Sequence, residues 1–326
     1  MDNRPLGRTL KLRMMLYPVV LISVLVIWVM YTPSKIALYS VYWPESVTMI
    51  LGAFVAGSTP LGGGAVAFPV LTKMLSYAAE DARLFSLLIQ SVGMSCASIL
   101  FISMGRTIFW REILFALPLS TFIILVIMPS LSISDTFVKG LFTVFELVAL
   151  IILTFSLIHS RIKTTRTKIT ALALFALLGG ALSSTIGSGA DLMIFIYLVL
   201  FKRVAPVEAI PTTVVFMAMN AVISALFSWQ TNLLSEPIIL AWFAAVPVVA
   251  VAAPLGGYVI SKIPAVYVLG FIICLVVSDL ASTILMGGLP VALNVLLVCS
   301  VTAIVLIKLD VLPFIRTITP LNTKRI

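Results

Sequence analysis

The chain has 326 residues, of which 61% are hydrophobic and only 10% are charged, and its formal net charge is +9. A soluble globular domain carries about a quarter charged residues, so this composition excludes a water-soluble fold. Apolar runs such as ILFALPLSTFIILVI show no alternation of period two, which also excludes a transmembrane β-barrel. We therefore predict an all-α integral membrane protein whose apolar runs form helices in the bilayer.

The N-terminal segment has a basic stretch followed by an apolar run from about Leu16 to Tyr31. No small-residue cleavage site follows this run, so we predict an uncleaved first helix and not a signal peptide. Residues 1–45 are accordingly assigned to one transmembrane helix and an outer loop.

Two pairs of the following apolar runs are too short or too broken to cross a bilayer singly, because a spanning helix needs about 20 residues. The runs 46–60 and 62–79 meet at the glycine cluster STPLGGGA, and the runs 169–186 and 188–201 meet at TIGSGA. Each glycine inside a helix costs about 1 kcal/mol relative to alanine. We predict that each pair is a broken, re-entrant helix hairpin.

The distribution of basic residues favours one threading of these pieces. If each hairpin enters and leaves on one side and both termini are cytoplasmic, all but four of the 21 basic residues lie in cytoplasmic segments. If each pair were a single crossing, the segment RIKTTRTK at 161–168 would lie outside, against the positive-inside rule. The favoured threading predicts a multi-pass protein of the cytoplasmic (cell) membrane. The four exceptions are Lys35, Lys73, Arg83 and Lys139.

This threading predicts an inverted-topology repeat. Each half consists of a broken, re-entrant helix pair plus three transmembrane helices, with one extra helix at each end of the chain. Secondary transporters are commonly built in this way, with the substrate bound near the membrane midplane. The predicted units are 46–160 (repeat 1), 161–168 (cytoplasmic basic loop), 169–287 (repeat 2) and 288–326 (C-terminal helix and tail).

Two stretches of the sequence carry a resemblance to a known family. They are GSTPLGGGAVAFPVLTKML, and LGGALSSTIGSGADLMIFIYLVL followed by VEAIPTTVVFMAMNAVISAL. In these motifs the chain resembles the sulfite exporter TauE/SafE family over most of residues 46–287. The resemblance implies a membrane transporter of sulfite, sulfonates or related sulfur oxyanions. The sequence departs from the family pattern at Asp191 and at Pro211-Thr212-Thr213.

The two glycine clusters are the predicted anion site. A helix break exposes the N–H groups of the second half-helix, and such N-termini carry about half a positive charge and bind anions. The alternatives are that the glycines only let helices pack closely, that the amides form interhelical hydrogen bonds, and that Thr212 caps a helix. The candidate substrate-binding residues are Ser58, Thr59, Gly62, Gly63, Gly64, Gln90, Thr185, Gly187, Ser188, Gly189, Thr212 and Asn220.

Asp191 follows the second glycine cluster directly and falls in the first turn of its half-helix. One interpretation is a helix cap, because the helix dipole favours a carboxylate there. The other is that Asp191 takes up a proton together with the anion, since an ionised carboxylate in a dry cavity would repel the substrate. Glu146 and Asp279 are the other carboxylates within apolar segments, and their roles stay open.

Competing functions are a passive anion channel and an intramembrane enzyme. The segment around Ser188 is similar to the serine motif of intramembrane proteases, but that chemistry needs a base near the serine. The only histidine, His159, lies at a helix end beside the basic loop. We therefore predict no enzyme, no metal site and no cofactor. The expected partners are a small anion and the lipid bilayer, with no nucleic acid; a homodimer is compatible with the sequence.

Overall fold

The structure is a computed structural model, and it describes residues 8–32, 34–130, 137–145, 147, 169–262, 277 and 281. Within these residues every regular element is a helix, as predicted. The carboxylates Glu146 and Asp279, the basic loop 161–168 and residues 288–326 lie outside the described residues.

The first part of the chain contains five α-helices. Helix α3 continues as a π-helix over Val70–Met74. Helix α2 begins at Lys35 and not at residue 46, so most of the predicted outer loop is helical. It is kinked at Tyr42, two residues before Pro44, because proline cannot donate the helical hydrogen bond. The helices are α1 (Arg8–Tyr31), α2 (Lys35–Ser58), α3 (Gly64–Pro69), α4 (Ala79–Ser103) and α5 (Trp110–Ile127).

The second part of the chain follows the same order of elements. A long helix is followed by a short one, which continues as a π-helix over Tyr197–Phe201, and then by two more long helices. Residues 137–145, between the two parts, are also helical. The helices are α6 (Ile169–Ile186), α7 (Ala190–Ile196), α8 (Pro206–Gln230) and α9 (Glu236–Ile260).

Five of the described helices, α4, α5, α6, α8 and α9, are long and apolar enough to cross a membrane. Helix α6 has 18 residues and is long enough to cross a membrane by itself, although its run was predicted to be too short or too broken for a single crossing. The apolar helical segments that follow the glycine clusters, 64–74 and 190–201, are shorter. The helix interruptions predicted at both clusters are present. The chain is therefore a multi-pass membrane protein.

The backbone after the first glycine cluster recurs after the second. Each π-helix is followed by a residue with positive φ, Ser76 at 58° and Arg203 at 60°, which lie 127 positions apart. A helix of 25 residues comes next in both parts, and it ends in turns where Gly105 and Asn232, again 127 positions apart, have φ of 67° and 54°. Positive φ is uncommon outside glycine, so these shared conformations show a duplicated local structure.

Equivalent helices of the two parts pack in equivalent pairs: α2 against α9, and α5 against α6, while α4 packs against α8. Glycines allow the close approach. A Cβ on Gly57 of α2 would overlap the carbonyl oxygen of Ala253 in α9, and a Cβ on Gly180 of α6 would lie 2.5 Å from the Ser120 carbonyl oxygen in α5. Small residues serve this purpose in membrane helices, where packing replaces the hydrophobic effect.

Candidate functional site

Two turns interrupt the helices at the glycine clusters. The first glycine turn (residues 59–64) joins α2 to α3 and contains Gly62 with φ of 70°. The second glycine turn (residues 187–189) joins α6 to α7 and contains Gly187 and Gly189 with φ of 75° and 112°. A residue with a Cβ pays about 1–2 kcal/mol in the left-handed region. Glycine at these positions therefore lets the chain turn where a helix would otherwise continue.

The two glycine turns lie directly against each other. A Cβ on Gly64 would lie 2.7 Å from Ser188 Oγ, and a Cβ on Gly62 would lie 2.9 Å from Asp191 Oδ2. Real Cβ atoms essentially never approach other atoms this closely. Both glycines are therefore required for this contact. We call the contact of Gly62 and Gly64 with Ser188 and Asp191 the glycine junction.

Helix α4 holds the second glycine turn through Gln90 and Ser86. Gln90 Nε2 donates to the Gly187 carbonyl oxygen at 2.8 Å, and Ser86 Oγ donates to the same oxygen at 3.2 Å. Gln90 Nε2 also donates to the backbone oxygen and to Oγ of Ser86, each at 2.9 Å. These bonds fix which way the amide points. Its oxygen Oε1 therefore faces Gly62, 3.0 Å from the position of the missing Cβ.

Three buried side-chain oxygens at the junction have no hydrogen-bond partner: Gln90 Oε1, Ser188 Oγ and Asp191 Oδ2. They are three of the seven such side-chain atoms among the described residues. Their residues are 1%, 0% and 0% exposed, respectively. An unpartnered buried polar group costs about 1–3 kcal/mol. A cluster of them therefore indicates a place for a proton or a ligand.

The other carboxylate oxygen of Asp191 caps its own helix. Asp191 Oδ1 accepts hydrogen bonds from the Gly189 N–H at 3.2 Å and from the Leu192 N–H at 3.0 Å. Ser183 Oγ accepts from the Ala190 N–H at 3.1 Å. Side chains of the protein thus occupy backbone donors at the start of α7, as is common at helix N-termini. The second turn therefore offers an anion fewer backbone donors than its glycine cluster predicts.

The hydroxyl groups that flank the turns bond within their own helices. Ser58, Thr59 and Thr185 each donate to a backbone carbonyl oxygen three or four residues earlier. Such bonds are a usual alternative for hydroxyls in helices. These three side chains therefore reach an anion only if they rotate.

Two of the candidate glycines do not face the opposite turn. A Cβ on Gly63 would meet ordinary contacts beginning at 3.5 Å, with Ala56 and Gly52. A Cβ on Gly189 would lie 3.1 Å from the ring of Phe145. The junction is therefore formed by Gly62 and Gly64 of the first turn.

Two side chains of α8 form hydrogen bonds to the neighbouring helix. Thr212 bonds to Phe109, the residue just before α5, and Asn220 bonds to Thr121 within α5. Thr212 Oγ1 accepts a hydrogen bond from the Phe109 N–H at 3.1 Å, and Asn220 Oδ1 accepts one from Thr121 Oγ1 at 3.0 Å. These contacts correspond to the interhelical alternative considered for Asn220, and they give Thr212 a partner outside its own helix.

Ser86 and Arg83 also contact the second glycine turn, although neither was predicted from the sequence as a site residue. Arg83 is 2% exposed, and a Cβ on Gly187 would lie 2.6 Å from the Arg83 carbonyl oxygen. The favoured threading had left it as one of the four basic residues outside the cytoplasmic segments. The signal that was available is spacing, because Arg83, Ser86 and Gln90 recur at intervals of three and four residues and so share one helix face.

Paired interrupted helices that meet at buried polar groups define the class: a multi-pass membrane protein with the arrangement found in secondary transporters. Residues 46–286 match the model of the family described as Sulfite exporter TauE/SafE. The chain belongs to this family of membrane transporters. Comparisons with curated proteins and with solved structures find no match.

Proposed function

We propose that the protein is a secondary transporter of a small sulfur oxyanion, sulfite or an organosulfonate, and that the glycine junction is its binding site. The observation that carries this proposal is the cluster of buried, unpartnered oxygens on Gln90, Ser188 and Asp191. Buried polar atoms without partners are uncommon in folded proteins, so three of them at one contact between two turns support a ligand site. The match to a sulfite exporter family supports a sulfur oxyanion as the class of substrate.

The chemistry of these three oxygens links the anion to a proton. Ser188 Oγ–H can donate to an oxyanion, whereas Gln90 Oε1 only accepts and Asp191 Oδ2 donates only when it is protonated. An unprotonated junction would therefore repel an anion, increasingly so in a dry site. A proton on Asp191, or on the anion as in bisulfite, supplies the missing donor. We therefore propose that transport is coupled to protons through Asp191.

The proposed architecture is the inverted repeat, with both termini cytoplasmic in the cell membrane. The backbone recurrence at 127 residues and the equivalent packing of α2 on α9 and α5 on α6 support it. Opposite orientation of the repeats lets one site open alternately to either side.

A passive anion channel is the alternative function. Ser188 and Asp191 are 0% exposed, so the glycine junction is closed to solvent. A closed, occluded site suits a carrier that alternates between two openings better than it suits an open pore.

Sulfite flux in proteoliposomes tests this function. The purified protein should take up sulfite with saturable kinetics, and an inward proton gradient should drive accumulation above the external concentration. Methanesulfonate should compete with sulfite, and protein-free liposomes set the background. Flux that rises linearly with sulfite and ignores the pH gradient would support the channel instead.

A further inference from the structure

Arg83 is a buried cation whose donors are only partly used. Its side chain is 2% exposed, and Nη1 donates to the Ser184 carbonyl oxygen at 2.8 Å. Nη2 lies 3.3 Å from Glu80 Oε1, and Nε is buried without a partner. A guanidinium presents five N–H donors. On its Nε–Nη2 edge, the 3.3 Å contact with Glu80 is the one hydrogen bond among the described residues.

Glu80 is a weak partner for a buried charge. Its side chain is 58% exposed, and it lies three residues before Arg83 on α4. Exposed pairs of this kind contribute little, whereas a buried cation without a close anion is costly. Glu80 can therefore leave Arg83 and return to solvent at small cost once another anion occupies the same edge.

Arg83 lies one turn before Ser86 on the helix that holds the glycine junction. Its backbone contacts Gly187, and Nη1 reaches the last turn of α6 at Ser184. The structurally equivalent position in the second half, 127 residues later, is Ile210. The duplicated fold therefore does not itself require a cation at this position.

We propose that the Nε–Nη2 edge of Arg83 binds the oxyanion substrate and that Glu80 occupies this edge when no anion is bound. Two parallel N–H groups of a guanidinium match two oxygens of a sulfite or sulfonate group, which lysine cannot reproduce. Arg83 is thus a specificity-determining residue of the transport proposed above, on which this inference rests.

Four variants separate substrate binding from a structural role. Arg83→Gln removes the positive charge. Arg83→Lys keeps the charge but lacks the two parallel N–H groups of the guanidinium. Glu80→Gln removes the competing carboxylate, and Asp81→Asn makes the same charge change at the neighbouring acid, which accepts a hydrogen bond from Ser235 Oγ at 3.2 Å. We expect Glu80→Gln to lower the KM for sulfite by about 2–5-fold, the worth of a weak ion pair. Asp81→Asn should leave the KM unchanged, whereas Arg83→Lys and Arg83→Gln should raise it, Gln more than Lys.

Thermal stabilisation of the detergent-purified protein by sulfite and methanesulfonate gives a second readout that needs no transport. The parent should be stabilised by both anions beyond the effect of chloride, and Glu80→Gln more so at equal concentration. If Glu80→Gln and Arg83→Lys both match the parent in KM and in anion stabilisation, Arg83 is only a packing residue and the proposal is overturned. Arg83-dependent stabilisation without sulfite flux would instead overturn the transport function and leave the anion contact standing.

Discussion

Gln90 donates its side-chain amide to the Gly187 carbonyl oxygen at 2.8 Å, and this bond ties helix α4 of the first half to the glycine turn of the second. The same bond turns Gln90 Oε1 toward Gly62, beside Asp191 Oδ2. One side chain thus both holds the glycine junction together and contributes an acceptor to it. Its removal should affect stability and transport at once.

Replacement of Gln90 by leucine should lower the free energy of unfolding by about 1–3 kcal/mol, because it removes the amide donor and leaves the Gly187 carbonyl oxygen with Ser86 alone. Sulfite uptake should fall in parallel. Thermal unfolding of the detergent-purified protein, together with initial uptake rates, measures both effects. Gln230→Leu is the matched control, because Gln230 is exposed at the end of α8. A Gln90→Leu protein with the parent's stability would mean that the bond to Gly187 contributes nothing.

Asp191→Asn should separate substrate binding from proton coupling. Asparagine keeps the shape and the Oδ1 acceptor that caps Gly189 and Leu192, and its amide can donate where a protonated carboxyl would. The variant should therefore exchange sulfite across the membrane at equal concentrations with weak dependence on pH. It should lose accumulation driven by a pH gradient, which isotope uptake with and without the gradient measures. Accumulation equal to that of the parent would reduce Asp191 to a helix cap.

The turns at Gly105 and Asn232 are equivalent in structure and should lie on opposite sides of the membrane. Thr107 and Thr231, close to these turns, are exposed. Single cysteines at these positions, in a background without Cys96, Cys274 and Cys299, can be labelled with a membrane-impermeant maleimide. We expect labelling of Thr231→Cys from outside intact cells and of Thr107→Cys only after the cells are opened. Labelling of both from the same side would rule out the inverted orientation.

The class of fold and the positions of the helix interruptions follow from local properties of the sequence. Few charges and long apolar runs leave only membrane helices, and glycine clusters interrupt them where Gly62 and Gly187 adopt positive φ. The start of α2 at Lys35 was not predictable in the same way, since the polar and aromatic residues before 46 resemble a loop in composition. The extent of a helix depends partly on the helices that it packs against, and α2 packs along α9.

The partners of single side chains depended on contacts distant in the sequence. Asn220 looked equivalent to Gln90, yet it bonds to Thr121 of α5 and not to a glycine turn. Arg83 was one of four basic residues that did not fit the charge pattern of the predicted topology, yet its guanidinium is buried and reaches Ser184, 101 residues away. Helix periodicity gives the face on which a residue lies, but only the packing of α4 against the second half shows what that face meets.

The adjacent glycines Gly63 and Gly64 give the most direct test of the glycine junction as the transport site. A Cβ on Gly64 would lie 2.7 Å from Ser188 Oγ and 2.8 Å from Ser188 Cβ, whereas on Gly63 the nearest contact is 3.5 Å away. Overpacking of this kind costs about 1–3 kcal/mol, so Gly64→Ala should push the two turns apart. Gly63→Ala should be accommodated.

The decisive measurement is the initial rate of sulfite uptake into proteoliposomes by the Gly63→Ala and Gly64→Ala proteins, at equal amounts of monodisperse protein. We predict that Gly63→Ala stays within about twofold of the parent and that Gly64→Ala falls by about tenfold or more, the change in rate that corresponds to 1.4 kcal/mol. Equal rates for Gly64→Ala and the parent would show that the anion crosses the protein elsewhere.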